Sequence, residues 1–461
     1  MEEFRIESDS IGKKEVPIDA YYGVQSLRAK ENFKISGRKV HPEFIKSIIE
    51  IKKAAAMTNK QAGAVSEKIA DAMITACDEI LSGKHLKHFI VDAVQGGAGT
   101  SLNMNANEVV ANRAIELLGG KKGNYKLVHP NDHANCAQST NDVYPSAGKI
   151  ATIRLLKRAI VSLEAFYTAL KQKAEQFDKV IKMGRTEMQD AVPITFGQTF
   201  SAYAQAIKRD IARFTKAIDE LSTLNMGGTA IGTGITATKQ YIENIVPTLC
   251  QVTGLPLHQA EDLIDATQNL DVFVTVSGII KACAVNLSKM ANDLRLMSSG
   301  PRTGFNEINL PAKQNGSSIM PGKINPVIPE VINQISFNVI GNDATITHAV
   351  EAGQLELNAF EPIIFYCLFE NLEMLANGLN VFRIDCIEGI TVNIENCEDE
   401  VERSIGIVTA LCPYIGYTKA SKIAKKALKE KKNIRQLLIE ENIVSKEEID
   451  KILNPFLMTE V

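Results

Sequence analysis

The sequence lacks the residue patterns of the commonest metal and disulfide sites. Its eight cysteines are scattered with no CxxC pair, and its seven histidines form no HExxH motif. His129 and His133 are four residues apart, but Pro130 between them argues against a shared helix face. In so long a chain, the cysteines are expected to be reduced thiols that serve as small apolar residues. We therefore predict neither a metal site nor a disulfide framework.

Long apolar runs and an excess of charge are also absent. No run approaches the roughly 18 apolar residues that a membrane-spanning helix needs. The acidic start, MEEFRIESDSIG, has no apolar core of the kind that a signal peptide carries. The formal net charge is −3 with the two signs interspersed, which argues against nucleic acid or an anionic membrane as a partner. These absences predict a cytoplasmic protein.

What the sequence does contain is helical periodicity. One segment has apolar residues at alternating steps of three and four, namely Phe273, Val276, Ile280, Cys283, Leu287, Met290, Leu294 and Met297. A second segment repeats this spacing at Leu156, Ile160, Leu163, Tyr167 and Leu170. Such seams are typical of long helices packed lengthwise in a bundle. Small residues beside the first seam favour contacts with further helices or subunits.

Changes in composition divide the chain into three predicted domains. Residues 1–139 have shorter helices, residues 140–394 contain both seams, and residues 395–461 are charged and rich in lysine. Strand signals are few and short. The predicted fold class is mainly α, with an N-terminal domain, a long central helical bundle and a small helical C-terminal domain. The lysine-rich run KIAKKALKEKKNIRQLLIEE is expected to be a solvated helix face.

Four polar segments interrupt the helices, each with more hydroxyl and amide side chains than a connection needs. They are GGAGTSLNMNANE (96–108), HPNDHANCAQSTNDVYP (129–145), MGRTEMQDAVP (183–193) and GSSIMPGKINPVIPE (316–330). The first is a glycine-rich turn before a helix, which favours an anion, although a simple N-cap explains it as well. In the second, Ser139, Thr140 and Asn141 precede a helix and also fit an ordinary cap.

The fourth segment is the most specific. Ser317 and Ser318 follow a glycine, and Lys323 and Asn325 lie two residues apart among prolines. Glycine permits positive φ and proline fixes φ, so the segment is predicted to be a stiff, irregular loop. A cation and an amide placed in this way can clamp a carboxylate, and the hydroxyls can donate hydrogen bonds or act as a base.

These segments, in this order over essentially the whole chain, resemble the signature blocks of the fumarase/aspartase superfamily. Its members cleave a C–N or C–O bond and release fumarate. IDAYYGVQSLRAKENF, SGPRTGFNEINLP and EAGQLELN are similar to the aspartase branch. The resemblance implies the superfamily's three-domain fold and a carbon–nitrogen lyase that deaminates L-aspartate reversibly to fumarate and ammonia. The alternatives are a fumarate hydratase, a lyase of an N-substituted aspartate, and a non-catalytic protein on the same fold.

The resemblance also implies roles for individual residues. Ser317 matches the catalytic base, and Lys323 and Asn325 match positions that bind one substrate carboxylate. Asn141 matches a position near the departing amine. The other substrate carboxylate becomes an aci-carboxylate in the reaction. The family positions that bind it correspond to Thr100, Ser139, Thr140 and Ser318.

Thr186 and Glu187 stand out in the third segment, and Glu187 departs from the family pattern. Many members have histidine at this position, and some aspartases have glutamine. An ionised carboxylate would pair with the ammonium of aspartate and much less with the neutral hydroxyl of malate, which favours an amine substrate. Alternatively, Glu187 turns away from the ligand to pair with Arg185 or a lysine.

The resemblance further implies a homotetramer in which three subunits build each site around a small-molecule substrate. No cofactor is expected. Activation by magnesium, as in some aspartases, stays open.

Overall fold

The computed structural model describes residues 3–459 and is mainly helical, which confirms the predicted fold class. The α-helices are α1 (Val24–Asn32), α2 (Pro42–Gln61), α3 (Glu67–Leu81), α4 (Thr100–Leu117), α5 (Thr140–Gln176), α6 (Phe196–Leu221), α7 (Lys239–Thr253), α8 (Asp265–Gln268), α9 (Asp271–Met297), α10 (Val327–Glu351), α11 (Glu361–Asp385), α12 (Ile394–Arg403), α13 (Cys412–Ile415), α14 (Tyr417–Glu430), α15 (Ile434–Glu440) and α16 (Lys446–Ile452).

In the described part of the chain, the β-strands form two-stranded pairs, and two isolated bridges lie outside them. The strands are β1 (Phe4–Asp9), β2 (Gly12–Pro17), β3 (Ile181–Thr186), β4 (Gln189–Thr195), β5 (Thr223–Leu224), β6 (His258–Gln259), β7 (Ile308–Asn309) and β8 (Thr391–Val392). β1–β2, β3–β4 and β7–β8 are antiparallel, and β5–β6 is parallel. The expectation that strands are few and short agrees with these pairs.

The first predicted seam lies along helix α9 and is buried. Its members Phe273, Val276, Ile280 and Cys283 are each 0% exposed, and Met297 at the end of the helix is 7% exposed. By length and composition, α9 could also cross a membrane, as core helices of soluble proteins often can. Burial of the whole seam inside the protein favours a core helix.

The second predicted seam is displaced on helix α5. Leu156, Leu163 and Leu170 are fully buried as expected, but Ile160 and Tyr167 are only half-buried. The positions one residue earlier carry the buried side chains Ala159 and Phe166, and Ala169 precedes Leu170 on the same face. Steps of three and four residues are both close to one helical turn. The apolar pattern therefore does not determine which of two adjacent residues is buried, and the packing decides it.

The chain forms two compact units, each assembled from separate stretches. The first unit comprises Met1–Ile160, Ala212–Ala282 and Asn338–Met374. The second comprises Val161–Ile211, Cys283–Phe337 and Leu375–Val461. Each of the five longest helices, α5, α6, α9, α10 and α11, belongs partly to both units. The three-domain division at 139/140 and 394/395 stays a prediction, although α5 does begin at Thr140.

Each unit has its own packed elements near the polar segments. In the first, α2 packs against α3 and α7, and α3 packs against α4. In the second, Ile181 and Met183 of β3 join an apolar cluster with Leu411, Leu437 and Leu438 near the C-terminus. This cluster anchors the β3–β4 hairpin.

The predicted solvated face of the lysine-rich run is confirmed in helix α14. The lysines of α14 lie on an exposed face, while Ala420, Ile423 and Ala427 on the opposite face are buried. The cysteines are free thiols, and five of the eight are buried.

Candidate active site

The first polar segment ends in the turn that starts helix α4. Gly97, Ala98 and Gly99 have positive φ values of 87°, 54° and 88°. A Cβ at position 99 would lie 2.2 Å from the ring of Tyr144, so only glycine permits this approach. Thr100 follows this turn and is exposed in the first turn of α4, where backbone N–H groups favour an anion.

Thr100 borders a cavity of about 470 Å³ in the first unit. Arg28, Tyr125 and His129 share the wall of this cavity. Asp9 holds the guanidinium of Arg28 through N–O distances of 2.8 and 3.1 Å. The cavity gives a small ligand access to Thr100.

Ser139 is the N-cap of helix α5. Its Oγ accepts a hydrogen bond from the backbone N–H of Asn141 at 3.2 Å, and its own N–H donates to Asp142 Oδ1 at 2.9 Å. The ordinary cap that the sequence allowed is therefore present. The same contacts fix the backbone of residues 139–141, so a capping role and a ligand-binding role are compatible.

Thr140 rests on a layer of buried polar groups. Its Oγ1 accepts a hydrogen bond from Asn103 Nδ2 at 3.1 Å. Asn135 Oδ1 accepts from three donors at 3.1 Å each, namely Asn103 Nδ2, Asn107 Nδ2 and Lys52 Nζ. Burial lowers the pKa of the Lys52 ammonium to about 7. Because Asn103 occupies an acceptor position of the Thr140 hydroxyl, the O–H of Thr140 can donate to a ligand.

Backbone N–H groups converge on the hydroxyl of Ser317, which is half-buried in the signature loop. Its Oγ accepts from the N–H of Ile319 at 3.2 Å and of Met320 at 2.9 Å. The loop is closed by the N–H of Gly316, which donates to the carbonyl of Lys323 at 2.8 Å. A Cβ at position 316 would lie 2.3 Å from that carbonyl, so the closure requires glycine. The two N–H donors favour negative charge on the Ser317 oxygen.

The other candidates in this loop differ in exposure. Ser318 and Lys323 are exposed, and no group within residues 3–459 forms a hydrogen bond or ion pair with Lys323 Nζ. Asn325 is half-buried, and its Nδ2 donates to the carbonyl of Gly316 at 2.7 Å. The second N–H of Asn325 and the ammonium of Lys323 therefore remain available to a ligand.

Thr186 and Glu187 lie at the tip of the β3–β4 hairpin. Thr186 pairs with Gln189, so Glu187 and Met188 form a two-residue turn with φ values of 52° and 66°. Asn and Gly usually occupy such a turn, so the backbone of Glu187 is held in an uncommon conformation. Both Thr186 and Glu187 are exposed, and Glu187 borders a cavity of about 550 Å³ in the second unit.

Arg185 is not the partner of Glu187. Its guanidinium donates to Glu307 at 2.6 Å and to Glu400 at 3.0 Å, and it lies 4.3 Å from the ring centroid of Phe305. Between residues 3 and 459, Glu187 forms no ion pair. The alternative in which Glu187 turns to Arg185 is therefore wrong for this chain, and no lysine takes that place among the described residues.

The candidate residues form two sets, one in each unit. The first set is Thr100, Ser139, Thr140 and Asn141, where Asn103, one helical turn after Thr100, contacts Thr140. The second set is Thr186, Glu187, Ser317, Ser318, Lys323 and Asn325. Within the described residues, the hairpin and the signature loop of the second set share no hydrogen bond or ion pair.

Two family descriptions match the chain. A lyase family matches residues 12–341, and a fumarase C C-terminus matches residues 407–460. The first match alone spans far more than half of the sequence. The chain belongs to the fumarase/aspartase family of lyases.

Relatives within this lyase family are similar over nearly their whole length. The chain is 50% identical to the aspartate ammonia-lyase of Bacillus subtilis over 99% of this chain and 96% of the relative. It is 52% identical to that of Helicobacter pylori, over 98% and 97% of the two chains. It is 48% identical to that of Escherichia coli, over 98% and 95%.

Solved structures of family members share the fold. A fumarate lyase:delta crystallin from Brucella melitensis bound to cobalt has a TM-score of 0.97 and 45% identity, with both chains covered completely. A class II fumarase from Schistosoma mansoni has a TM-score of 0.95 and 36% identity over 99% of each chain. The fold implied by the resemblance is thus confirmed.

Sequence reasoning missed Asp142, which ties the second segment together. Its Oδ2 accepts from the N–H groups of Gly227 and Thr229 at 3.1 Å each, and its Oδ1 accepts from Ser139. Burial raises the pKa of Asp142 to about 6, against the opposing effect of these donors and Lys52. The spacing Ser-x-x-Asp is a capping-box pattern that could have identified the contact with Ser139. No sequence signal indicates the contacts with residues 227 and 229.

Metal ligands do not gather in the described part of the chain. Within residues 3–459, no group of three or more His, Cys, Asp or Glu side chains is placed to hold a metal ion. Apart from the Glu187 carboxylate, the two sets together offer hydroxyl, amide and ammonium donors.

Proposed function

We propose that the chain is an aspartate ammonia-lyase, which converts L-aspartate reversibly to fumarate and ammonia. This proposal rests on sequence identity. The chain is 50%, 52% and 48% identical to aspartate ammonia-lyases of three organisms, over nearly the full length of both chains. The intact set of hydroxyl, amide and ammonium donors in both units supports a catalytic role.

Ser317 removes the proton from the carbon next to the side-chain carboxylate of aspartate. That carbon acid is very weak, so the base must carry negative charge in a site that stabilises it. The N–H groups of Ile319 and Met320, which point at Ser317 Oγ, support this role. The bond between the neighbouring carbon and the amine then breaks, its electron pair leaves with the nitrogen, and fumarate remains.

The intermediate is a dianionic aci-carboxylate, so donors around that carboxylate supply most of the stabilisation. Thr100, Ser139, Thr140 and Ser318 fill this role. Hydroxyls suit it because each donates one short hydrogen bond and can rotate to follow the developing charge. The contact of Asn103 with Thr140 supports an outward O–H at that residue.

Lys323 and Asn325 bind the other carboxylate and set the orientation of the substrate. The unpaired ammonium of Lys323 and the second N–H of Asn325 support this assignment. An ammonium about 4 Å from a carboxylate contributes roughly 4 kcal/mol of Coulomb attraction at an effective dielectric constant near 20, before solvent screening. Holding both ends of the substrate places the reacting carbon against Ser317.

Asn141, Thr186 and Glu187 form the amine side of the site. Glu187 pairs with the substrate ammonium, which distinguishes aspartate from malate. Its lack of any ion-pair partner in the described residues, and its place at a hairpin tip, support this role. The same carboxylate would repel the substrate carboxylates, so it must lie on the amine side.

Complete sites form in a homotetramer, with residues from three subunits. The signature loop exposes Ile319, Met320 and Ile324, which are 83%, 48% and 50% exposed. Such apolar tips on a polar loop support contact with another copy of the chain. We further propose a cytoplasmic enzyme without a membrane partner that turns over without a cofactor. Added magnesium, after chelation, tests for activation.

The experiment is the ultraviolet absorbance of fumarate formed by the purified protein from L-aspartate, with L-malate in parallel. Fumarate from aspartate alone is expected. The structural similarity to a fumarase makes the hydratase the rival function. Fumarate from malate alone would establish that rival, and no product from either substrate would contradict both functions.

A further inference from the structure

Asn141 is anchored by a loop of its own unit. Its Nδ2 donates to the carbonyl of Ala230 at 2.8 Å, and its own carbonyl accepts from Asn225 Nδ2 at 2.9 Å. Because the amide nitrogen is turned to Ala230, Oδ1 faces the opposite side of the amide. Among residues 3–459, Oδ1 has no hydrogen-bond partner. An amide oxygen presented in this way is an acceptor for an ammonium donor.

Asp142 holds the same loop in place. Its Oδ2 accepts from the backbone N–H groups of Gly227 and Thr229, and its Oδ1 accepts from that of Ser139. The Asp142 carboxylate therefore connects the start of helix α5, which contains Asn141, to the loop that contains Ala230. The loop and the start of helix α5 cannot move apart without breaking these hydrogen bonds.

These contacts lie in the interior and hold a strained backbone. Asp142 is 0% exposed, and Asn225 and Thr229 are each 2% exposed. Thr229 has a φ of 54°, which a β-branched residue keeps only when its surroundings hold it. Water cannot readily replace a lost acceptor at this depth, so the geometry depends on the carboxylate.

We propose that Asp142 and Asn225 are positioning residues, which hold the Asn141 amide with its oxygen toward the amino group of the substrate. This inference rests on the proposed function, because it takes the substrate to be an amine. Neither residue touches the ligand. Their effect is therefore expected to be larger on the interaction of the amino group than on that of the carboxylates, which Asp142 influences through the backbone of Ser139.

Asp142→Asn tests the carboxylate at nearly constant volume. An amide has one acceptor oxygen, and its NH₂ group would face either the N–H of Ser139 or those of Gly227 and Thr229. Either the hydrogen bond from helix α5 or those from the loop are then lost, so the loop no longer keeps Ala230 in place to bind Asn141.

Two ligands that differ only in the amino group separate positioning from general damage. They are L-aspartate, measured by its KM, and succinate, measured by its inhibition constant. In Asp142→Asn, the KM for aspartate is expected to rise about 10-fold to 100-fold, the range for losing an oriented hydrogen bond to a charged group. The inhibition constant of succinate should rise clearly less, because succinate has no amino group and is affected only through the backbone of Ser139.

Asp343→Asn is the matched control. Asp343 is a buried aspartate of the same unit, 7% exposed, and it accepts from Ser277 Oγ at 2.7 Å. The substitution removes a buried carboxylate without touching the Asn141 contacts. The ratio of the aspartate and succinate constants should therefore equal that of the wild type.

A second variant decides the matter if Asp142→Asn does not fold. Asn225→Ser removes the donor to the Asn141 carbonyl and should change the ratio of the two constants in the same direction. In a folded variant, an unchanged ratio of the two constants would overturn the positioning role, whether both constants rise equally or neither changes. Wild-type protein that is inactive on aspartate would instead refute the proposed function.

Discussion

Replacing Glu307 with glutamine is expected to destabilise the second unit strongly. Glu307 Oε1 lies 2.6 Å from Arg185 Nη1 and 3.4 Å from Lys182 Nζ, and the side chain is 0% exposed. The two cationic side chains are 15% and 8% exposed. Glutamine keeps the shape but removes the charge, so these cations face a neutral amide. Arg185 keeps Glu400, at 3.0 Å, as its carboxylate partner.

The magnitude follows from these distances. At an effective dielectric constant near 20, the two attractions are about 6 and about 5 kcal/mol. Glutamine also avoids the cost of burying the Glu307 charge, which is several kcal/mol. The net loss in the free energy of unfolding should therefore be about 3–5 kcal/mol, as for other broken buried pairs. In a unit of this size, each kcal/mol shifts the thermal midpoint by about 2–4 °C, which predicts a fall of roughly 6–20 °C.

The assay is thermal unfolding followed by circular dichroism, at one protein concentration and pH. Glu243→Gln is the control, because Glu243 and Lys239 form a pair at 3.6 Å in which the side chains are 59% and 89% exposed. That exposed pair should contribute less than about 0.5 kcal/mol, or roughly 1–2 °C. If Glu307→Gln lowers the midpoint no more than this control, the buried pair contributes no net stability and the reasoning is refuted.

Three further predictions concern two candidate site residues and the buried Lys52. Ser317→Ala should lower kcat for aspartate by about 10²-fold to 10⁴-fold with little change in the thermal midpoint, and near-normal turnover would exclude Ser317 as the base. Glu187→Gln should leave the fold intact and raise the KM for aspartate about tenfold, because one charge-assisted contact is lost; an unchanged KM and pH profile would place Glu187 outside the site. Burial lowers the pKa of Lys52 from the ordinary 10.5 to about 7. Between these two pH values, Lys52 is protonated in the unfolded chain and neutral in the folded protein. The free energy of unfolding should therefore rise by about 1.4 kcal/mol per pH unit above pH 7. Denaturant unfolding at about pH 7 and 9 should show a steeper rise in the wild type than in Lys52→Met, which keeps the buried Lys149 with its pKa lowered to about 8, and equal slopes would contradict it.

The bundle could be read from the sequence only in part. The seam of α9 was recognised residue by residue, because a helix repeats its buried face every three to four positions whatever its neighbours are. On α5 the same rule chose Ile160 and Tyr167, whereas packing buries Ala159 and Phe166. The period is a local property, but which of two neighbouring positions faces the core depends on the helices around it.

The candidate site shows the same division. The glycine turn before Thr100 and the closed loop around Ser317 follow from short-range chemistry, because glycines and prolines restrict the backbone where they stand. The alternatives for Glu187 could not be separated until the contacts of Arg185 with Glu307 and Glu400 were seen. Those partners lie 122 and 215 residues away along the chain.

By itself, the sequence determined the helical fold class, the family and the residue types available for chemistry. These depend on local period and on motifs of neighbouring residues, which the chain carries whether or not it is folded. Only the tertiary structure decided how those residues are oriented. Asp142 accepts hydrogen bonds from residues 85 and 87 positions away, and Asn141 donates to one 89 positions away. Such contacts form only when packing brings distant backbone into the interior, where each buried N–H must find an acceptor.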